Sequence, residues 1–199
     1  METAIAAERM ARGTAEAHPR LTPIAWSWNP LHWLALAIYR SIGAPLPAQV
    51  IFARAPRLII GHLLVVLTSE YGLTLDRRVQ SLVRVFGSRI NGCMFCDNLE
   101  TRLAIAHGSL TREDADALAE YAASERFGER ERAALRYVEE INTVRQASDE
   151  TFEGLRRHFS EREIIELTWL NAVGNYLNLQ ARPLGLAPDE ACTIPPRRK

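Results

Sequence analysis

Two of the three cysteines, Cys93 and Cys96, form a C-x-x-C motif within the stretch 91–100. The surrounding pattern predicts a helix that starts at this motif, with Asn91 as a candidate cap and Gly92 allowing close backbone approach. Residues three apart share one helix face, so the two sulfurs can reach disulfide distance. The N–H groups and partial positive charge at a helix N-terminus favour a thiolate and lower the pKa of a thiol. Such a thiol beside a second thiol suits peroxide reduction or thiol–disulfide exchange.

Two ionisable residues follow the motif on the same helix face. Glu100 is four residues after Cys96 and could accept or relay its proton. An ionised Glu100 would also oppose a thiolate, so it helps only as a base or as a protonated acid in an apolar site. His107 continues the stripe, but about 16 Å of helix rise separates it from Cys96, so we expect no direct role there.

Other interpretations of the cysteines need partners that the sequence does not offer. A thioredoxin-like site requires a βαβ context, and a zinc site requires four ligands. Cys192 lies in a proline-rich tail, and the chain has no second C-x-x-C and no H-x-x-H motif. Two unreactive buried cysteines are the remaining structural alternative. His62, inside an apolar segment, is either a general base or a core histidine with a backbone partner.

The composition of the 199 residues restricts the function classes. A formal net charge of zero does not favour nucleic acid as a partner. The single lysine, Lys199, is the last residue, which argues against Schiff-base chemistry. No apolar signal segment is visible near the start, and the uncharged run 21–39 is too broken to span a bilayer. We therefore expect a cytoplasmic protein in a reducing compartment, with no membrane partner.

The hydrophobic pattern predicts an all-α fold, because no stretch shows sustained period-two alternation. The expected organisation is an arm and a Trp/Pro-rich helical extension over 1–50, a helical domain over 51–187 and a flexible tail over 188–199. The segment 55–70 is apolar on every side, which is typical of a central or oligomer-buried helix. Predicted caps are Thr74, Ser148, the Ser160-x-x-Glu163 box and, for one and the same helix, Ser109 and Thr111, and Gly108 is the predicted end of the cysteine helix. The predicted core face of the last helix is Ile164, Leu167, Trp169, Leu170, Val173, Tyr176 and Leu177.

From about residue 53 to 186 the chain resembles the carboxymuconolactone decarboxylase and alkyl hydroperoxidase D-like family. The resemblance is carried by the segments Ala55-Pro-Arg-Leu, Val83-Arg-Val-Phe, Asn91-Gly-Cys-Met-Phe-Cys, Phe159 to Leu170, Asn175-Tyr-Leu-Asn178 and Pro183-Leu-Gly-Leu186. It implies an alkyl hydroperoxidase D-like helical bundle that assembles as a trimer or higher homo-oligomer. It also implies that Cys96 is the peroxidatic cysteine and Cys93 the resolving one, whereas the helix dipole alone favours Cys93.

Two positions depart from the peroxidase pattern of that family. Glu100 stands where the family has a histidine, and Ser81 stands where it has a glutamate. The leading hypothesis is a peroxiredoxin-like thiol peroxidase or disulfide oxidoreductase with catalytic residues Cys96, Cys93 and Glu100. It would use a hydroperoxide and a dithiol reductant or dithiol carrier protein, without a metal or organic cofactor. One alternative is a lactone decarboxylase that uses Glu100 or His62 as its acid. Another is a non-catalytic binding protein whose partner surface is the Trp-rich segment 26–33.

Overall fold

The computed structural model describes residues 20–21, 30–42, 54–55 and 57–186. The predicted tail with Cys192, Trp26, Trp28 and nearly all of the predicted arm lie outside the described residues. Within them, eight α-helices and no strand occur, which confirms the predicted all-α class. The helices are α1 (Pro30–Ile42), α2 (Leu58–Glu70), α3 (Arg77–Ile90), α4 (Met94–Ala106), α5 (Arg112–Ala117), α6 (Glu129–Thr143), α7 (Asp149–Arg156) and α8 (Glu161–Ala181), with a 3₁₀ turn at Leu118–Glu120. None of these helices combines the length and hydropathy needed to cross a bilayer.

Side-chain caps fix most helix starts. The hydroxyls of Thr111, Ser148 and Ser160 each accept a hydrogen bond from the backbone three residues on, as predicted. The predicted cap at Thr74 is wrong, because Asp76 caps α3 by accepting from the Val79 N–H at 3.0 Å. Thr74 instead donates its backbone N–H to Glu166 of α8 at 2.7 Å. The end of α4 is as predicted, since Gly108, the second residue after the helix, has a φ of +69°.

Helix α3 is central and packs against α4, α6 and α8. Its buried side chains include Val79, Leu82, Val83 and Phe86, which belong to the predicted apolar stripe. Gly87 lets α3 approach α8 closely, since a Cβ at this position would lie 3.1 Å from Asn171 Oδ1. The core therefore fixes α3 firmly just before the chain turns into the cysteine motif.

Two helices leave apolar side chains uncovered in the single chain. In α2, His62 and Leu63 are buried, whereas Ile60 and Leu64 are 52% and 60% exposed. In α8, the predicted core positions Trp169 and Tyr176 are 41% and 37% exposed, so this part of the prediction is wrong. Trp169 and Tyr176 do not belong to the buried stripe of α8. They form a separate, exposed apolar stripe with Ile165 and Leu179, which are 70% and 71% exposed.

Candidate active site

The cysteine motif begins at a tight turn between α3 and α4. Asn91 closes α3, Gly92 takes a φ of +64°, and α4 starts at Met94. The cap of α4 is therefore Cys93. Its sulfur accepts a hydrogen bond from the Cys96 N–H, with 3.4 Å between the nitrogen and the sulfur. The prediction that Asn91 caps this helix is wrong, because the left-handed turn at Gly92 separates Asn91 from the first turn of α4.

The side chain of Asn91 instead ties the turn to α8. Its amide donates to Asn178 Oδ1 at 2.9 Å and to Asn175 Oδ1 at 3.2 Å. Arg182 donates to the Asn91 carbonyl at 2.6 Å, and the Asn178 amide donates to Ser88 Oγ at 3.4 Å. The turn is thereby tied to α8 and to the residue that follows it.

Cys93 and Cys96 form a disulfide in this structure, with their Cα atoms 5.3 Å apart. This spacing lies within the usual range for a disulfide. Only 2% of Cys93 and 7% of Cys96 is exposed. The pair packs against Ala181 at the end of α8, with Phe95 and Leu186 alongside. The pair is therefore shielded from general contact with solvent.

A small cavity of about 80 Å³, called the sulfur cavity below, is lined by Cys96 but not by Cys93. Its walls are largely apolar and come mainly from α4 and α8. The apolar lining residues are Phe95, Leu99, Leu170, Val173, Gly174, Leu177, Ala181 and Leu186. Glu100 and His62 also line it, so the structure brings two predicted acid–base candidates to the same space as Cys96.

A second, wider pocket of about 420 Å³ is also lined by Glu100. Ser81 and His107 line this pocket together with Glu100, and Cys96 does not. His107 does not line the sulfur cavity, in agreement with the separation from Cys96 that the helix rise predicts. The Ser81 hydroxyl is 2.7 Å from that of Ser109. Glu100 is the predicted site residue that both spaces share.

The Glu100 carboxyl lies beside Arg84 and Glu70, which sequence reasoning missed. Burial raises the pKa of Glu100, the nearby Arg84 charge opposes this, and Glu70 adds to it. Arg84 forms an ion pair with Glu70 and donates to the Ser69 carbonyl at 2.6 Å. No local spacing indicates this cluster, because Glu70 ends α2 and the other two residues lie mid-helix in α3 and α4.

His62 is a buried side chain that also faces the sulfur cavity. Its Nδ1 lies 3.4 Å from the Tyr176 hydroxyl. Burial lowers its pKa from 6.5 to about 4, so the imidazole is neutral at neutral pH. In the described part of the chain, no three His, Cys, Asp or Glu side chains are grouped so as to hold a metal ion.

The chain is similar to one known protein family and to several solved structures. The profile of the family described as "CMD: Carboxymuconolactone decarboxylase family" matches residues 65–140. This match includes α3, the cysteine motif and α4. No curated protein matches the chain.

Several solved structures share the fold. A protein of unknown function from Agrobacterium tumefaciens, described as a candidate antioxidant defence protein AhpD, is 24% identical with a TM-score of 0.63, covering 71% of this chain and 94% of its own. An uncharacterized peroxidase-related protein from Ralstonia eutropha JMP134, described as an alkylhydroperoxidase AhpD core, is 19% identical with a TM-score of 0.68, covering 92% and 99%. The debrominase Bmp8, as a cysteine-to-alanine variant in complex with 2,3,4-tribromopyrrole, is 20% identical with a TM-score of 0.78, covering 89% and 96%. The predicted resemblance is therefore confirmed: residues 65–140 match the carboxymuconolactone decarboxylase family, and the helices have the AhpD-like fold.

Proposed function

We propose that the protein is a dithiol peroxidase or disulfide oxidoreductase in which Cys96 reacts with the substrate and Cys93 resolves the product. The Cys96 thiolate attacks the outer oxygen of a hydroperoxide, and the O–O bond breaks. Cys96 becomes a sulfenic acid, and the other oxygen leaves as an alcohol after taking a proton. The Cys93 thiolate then attacks the Cys96 sulfur, which releases water and closes the disulfide. A dithiol reductant or dithiol carrier protein returns two electrons to the pair.

The observation that carries this proposal is the different position of the two cysteine residues relative to the cavity. Cys96 lines the cavity with Glu100, whereas Cys93 lies outside it as the cap of α4. A substrate in the cavity would therefore meet Cys96 first. The Cys96 N–H directed at the Cys93 sulfur favours a thiolate there, which suits a resolving nucleophile.

Glu100 is the proposed proton donor to the leaving alkoxide. A carboxylic acid that stays protonated near neutral pH can act as a general acid. Burial favours the protonated form of Glu100, and the residue borders the same cavity as Cys96. Glu100 would thus take the role that the resemblance assigns to a histidine.

Single cysteine variants test the assignment. In Cys96→Ser we expect peroxide-dependent oxidation of an added dithiol to disappear. In Cys93→Ser we expect one turnover that stops at a Cys96 sulfenic acid, detectable by dimedone labelling and mass spectrometry. Cys192→Ser is the control and should turn over as the unaltered chain does. Unchanged turnover in both Cys93→Ser and Cys96→Ser would refute the function.

Reductive dehalogenation is a second candidate that uses the same two thiols. The largely apolar cavity at Cys96 favours it, and the debrominase named above supplies a precedent on this fold. One aryl halide and two thiols would yield the arene, a disulfide, a halide ion and a proton. Halide release from a small bromoaromatic, measured beside hydroperoxide consumption, distinguishes the two reactions.

A lactone decarboxylase using Glu100 or His62 instead predicts full turnover of a lactone acid in both cysteine variants.

A further inference from the structure

Arg84 stands between two carboxylates but forms its ion pair with only one of them. Its guanidinium bonds to the Glu70 carboxylate and to the Ser69 carbonyl, both at the end of α2. In the part of the chain that the structure describes, no hydrogen bond joins Arg84 to Glu100. Arg84 and Glu100 nevertheless line both the sulfur cavity and the wider pocket.

We propose that Glu70 is a positioning residue for Glu100: by engaging Arg84, it keeps Glu100 in the neutral form that can donate a proton in the Cys96 cavity. This inference rests on the proposed thiol chemistry, in which Glu100 protonates the leaving group. It assigns a role to a residue from α2, a helix that contributes neither cysteine. It also gives a reason why the pKa of a glutamate is raised beside an arginine.

The single positive charge of Arg84 interacts with two carboxylates, those of Glu70 and Glu100. A guanidinium that bonds directly to a carboxylate favours its charged form and lowers its pKa. If Arg84 bonded to Glu100, the acid would ionise and its negative charge would disfavour a Cys96 thiolate. Because Arg84 bonds directly to Glu70, Glu100 feels the attraction of Arg84 through space without a hydrogen bond from it, and it also feels the repulsion of Glu70.

The other groups around Glu100 add little charge. From α2, His62 is neutral above about pH 4. From α8, the residues that line the cavity lie between positions 170 and 181 and are all uncharged. On α4 and its C-terminal cap, the other titratable residues that line either pocket are Cys96, which is disulfide-bonded in this structure, and His107, and the wider pocket is also lined by Tyr71, Asp76 and Arg77. Besides burial, Arg84 and Glu70 are therefore the groups that shift the pKa of Glu100, Arg84 downward and Glu70 upward.

The direct test is a carboxyl titration of the disulfide form, in which neither cysteine of the pair titrates. Glutamates carrying ¹³C at the carboxyl are followed by NMR, and Glu100→Gln identifies the Glu100 signal. In the unaltered chain we expect Glu100 to titrate above the ordinary glutamate range. In Glu70→Gln we expect its pKa to fall by at least about one unit, which is about a tenfold smaller ratio of protonated to ionised form at a given pH.

Three further variants separate this role from general disturbance of the fold. Glu70→Asp keeps the charge and should keep the Glu100 pKa high. Arg84→Gln removes the positive charge and should move that pKa upward, opposite to Glu70→Gln. Glu120→Gln, an exposed site in the 3₁₀ turn, makes the same charge change as Glu70→Gln and should leave Glu100 unmoved. Opposite shifts from two neighbouring variants would not follow from local loosening alone.

An unchanged or raised Glu100 pKa in Glu70→Gln would overturn the inference. The titration needs no substrate, so its result is independent of whether the protein reduces peroxides. Conversely, if the cysteine variants retain turnover, the proposed function fails even when Glu100 titrates as expected. With an active protein, the loss of rate at alkaline pH should begin at lower pH in Glu70→Gln, and Glu100→Gln should lack that dependence.

Discussion

At the scale of single residues, the surroundings of Glu100 decide what it can do. An exposed glutamate would be ionised at neutral pH and would repel a thiolate one turn away. In the fold, Glu100 lines both pockets, and burial raises its pKa. The same side chain is thereby changed from an obstacle to the thiol chemistry into a candidate proton donor.

Replacing Glu100 by glutamine tests this role directly. Glu100→Gln keeps the size of the side chain and removes its titrating proton. We expect the rate of hydroperoxide reduction by the reduced protein to fall by about 100-fold, a usual loss for general acid catalysis. Quenched-flow mass spectrometry of the Cys96 product measures it. Glu100→His, which restores the residue expected from the resemblance, is the matched control and should retain most of the rate. A Glu100→Gln rate within about twofold of the original would contradict the assignment, because general acid catalysis is worth far more than that.

The stability of the chain should depend on His62 at mildly acidic pH. Its pKa is lowered from 6.5 to about 4 in the folded state, so the unfolded chain binds the proton more tightly between these values. The unfolding free energy should therefore fall as the pH drops from about 6.5 to about 4. The loss from this group is at most about 3 kcal/mol. Urea unfolding at several pH values measures it, and His62→Gln should show a shallower slope. If the unfolding free energy of His62→Gln fell with pH as steeply as that of the unaltered chain, the prediction would be wrong.

At the scale of elements, the packing of α3 against α8 positions the cysteine turn. Asn171 Oδ1 accepts from the Asn142 amide at 2.7 Å, directly beside Gly87. One turn further along the chain, Asn91 bonds to Asn178. The end of α3 is thus held to α8 just before the chain enters the C-x-x-C motif.

An alanine at Gly87 should loosen this contact. The added Cβ would lie 3.1 Å from Asn171 Oδ1, and moving that oxygen lengthens its bond to Asn142. We expect Gly87→Ala to destabilise the fold by about 1–2 kcal/mol, despite the better helix propensity of alanine. Gly154→Ala in α7 is the control, since no atom lies within 4 Å of its added Cβ, and it should stabilise slightly. Thermal unfolding of both variants provides the comparison. If Gly87→Ala and Gly154→Ala stabilised the fold equally, the Asn171 side chain would have moved without an energetic cost, and the prediction would be wrong.

At the scale of the whole molecule, the single chain leaves an apolar stripe along α8. Ile165, Trp169, Tyr176 and Leu179 fall on one side of this helix at intervals of four, seven and three residues. Exposed contiguous apolar surface of this kind marks an interaction site. Tyr176 also approaches His62, so the stripe borders the wall of the sulfur cavity. We propose that copies of the chain cover this stripe in a homo-oligomer.

Charged substitutions in the stripe should dissociate the proposed oligomer. Leu179 is 71% exposed in the single chain, so Leu179→Glu should fold nearly normally while its ionised side chain opposes association. We expect sedimentation equilibrium to show a lower mass for Leu179→Glu at micromolar concentration. Val144→Glu, at a site 58% exposed at the end of α6, is the control and should keep the original mass. A monomeric unaltered chain would refute the proposal.

The sequence by itself determined the features that depend on neighbouring residues along the chain. Helical periodicity, the Ser148 and Ser160 caps and the glycine after α4 were predictable because each is a local interaction within a few positions. The pairing of Cys93 with Cys96 follows from the same local geometry. The segments resembling a known family added the fold of the assembled helices.

Only the tertiary structure decided what surrounds these local features. It placed Cys96 at a cavity and made Cys93 a helix cap, a difference that their spacing does not contain. It brought Glu70, Arg84 and Glu100 together from three helices, where burial raises the pKa of Glu100, Arg84 opposes this rise and Glu70 adds to it. Trp169 and Tyr176 were wrongly assigned to the core because the pattern identifies apolar residues but not which of two stripes is covered. Burial and charge depend on contacts between distant segments, so they could be known only after the helices had packed.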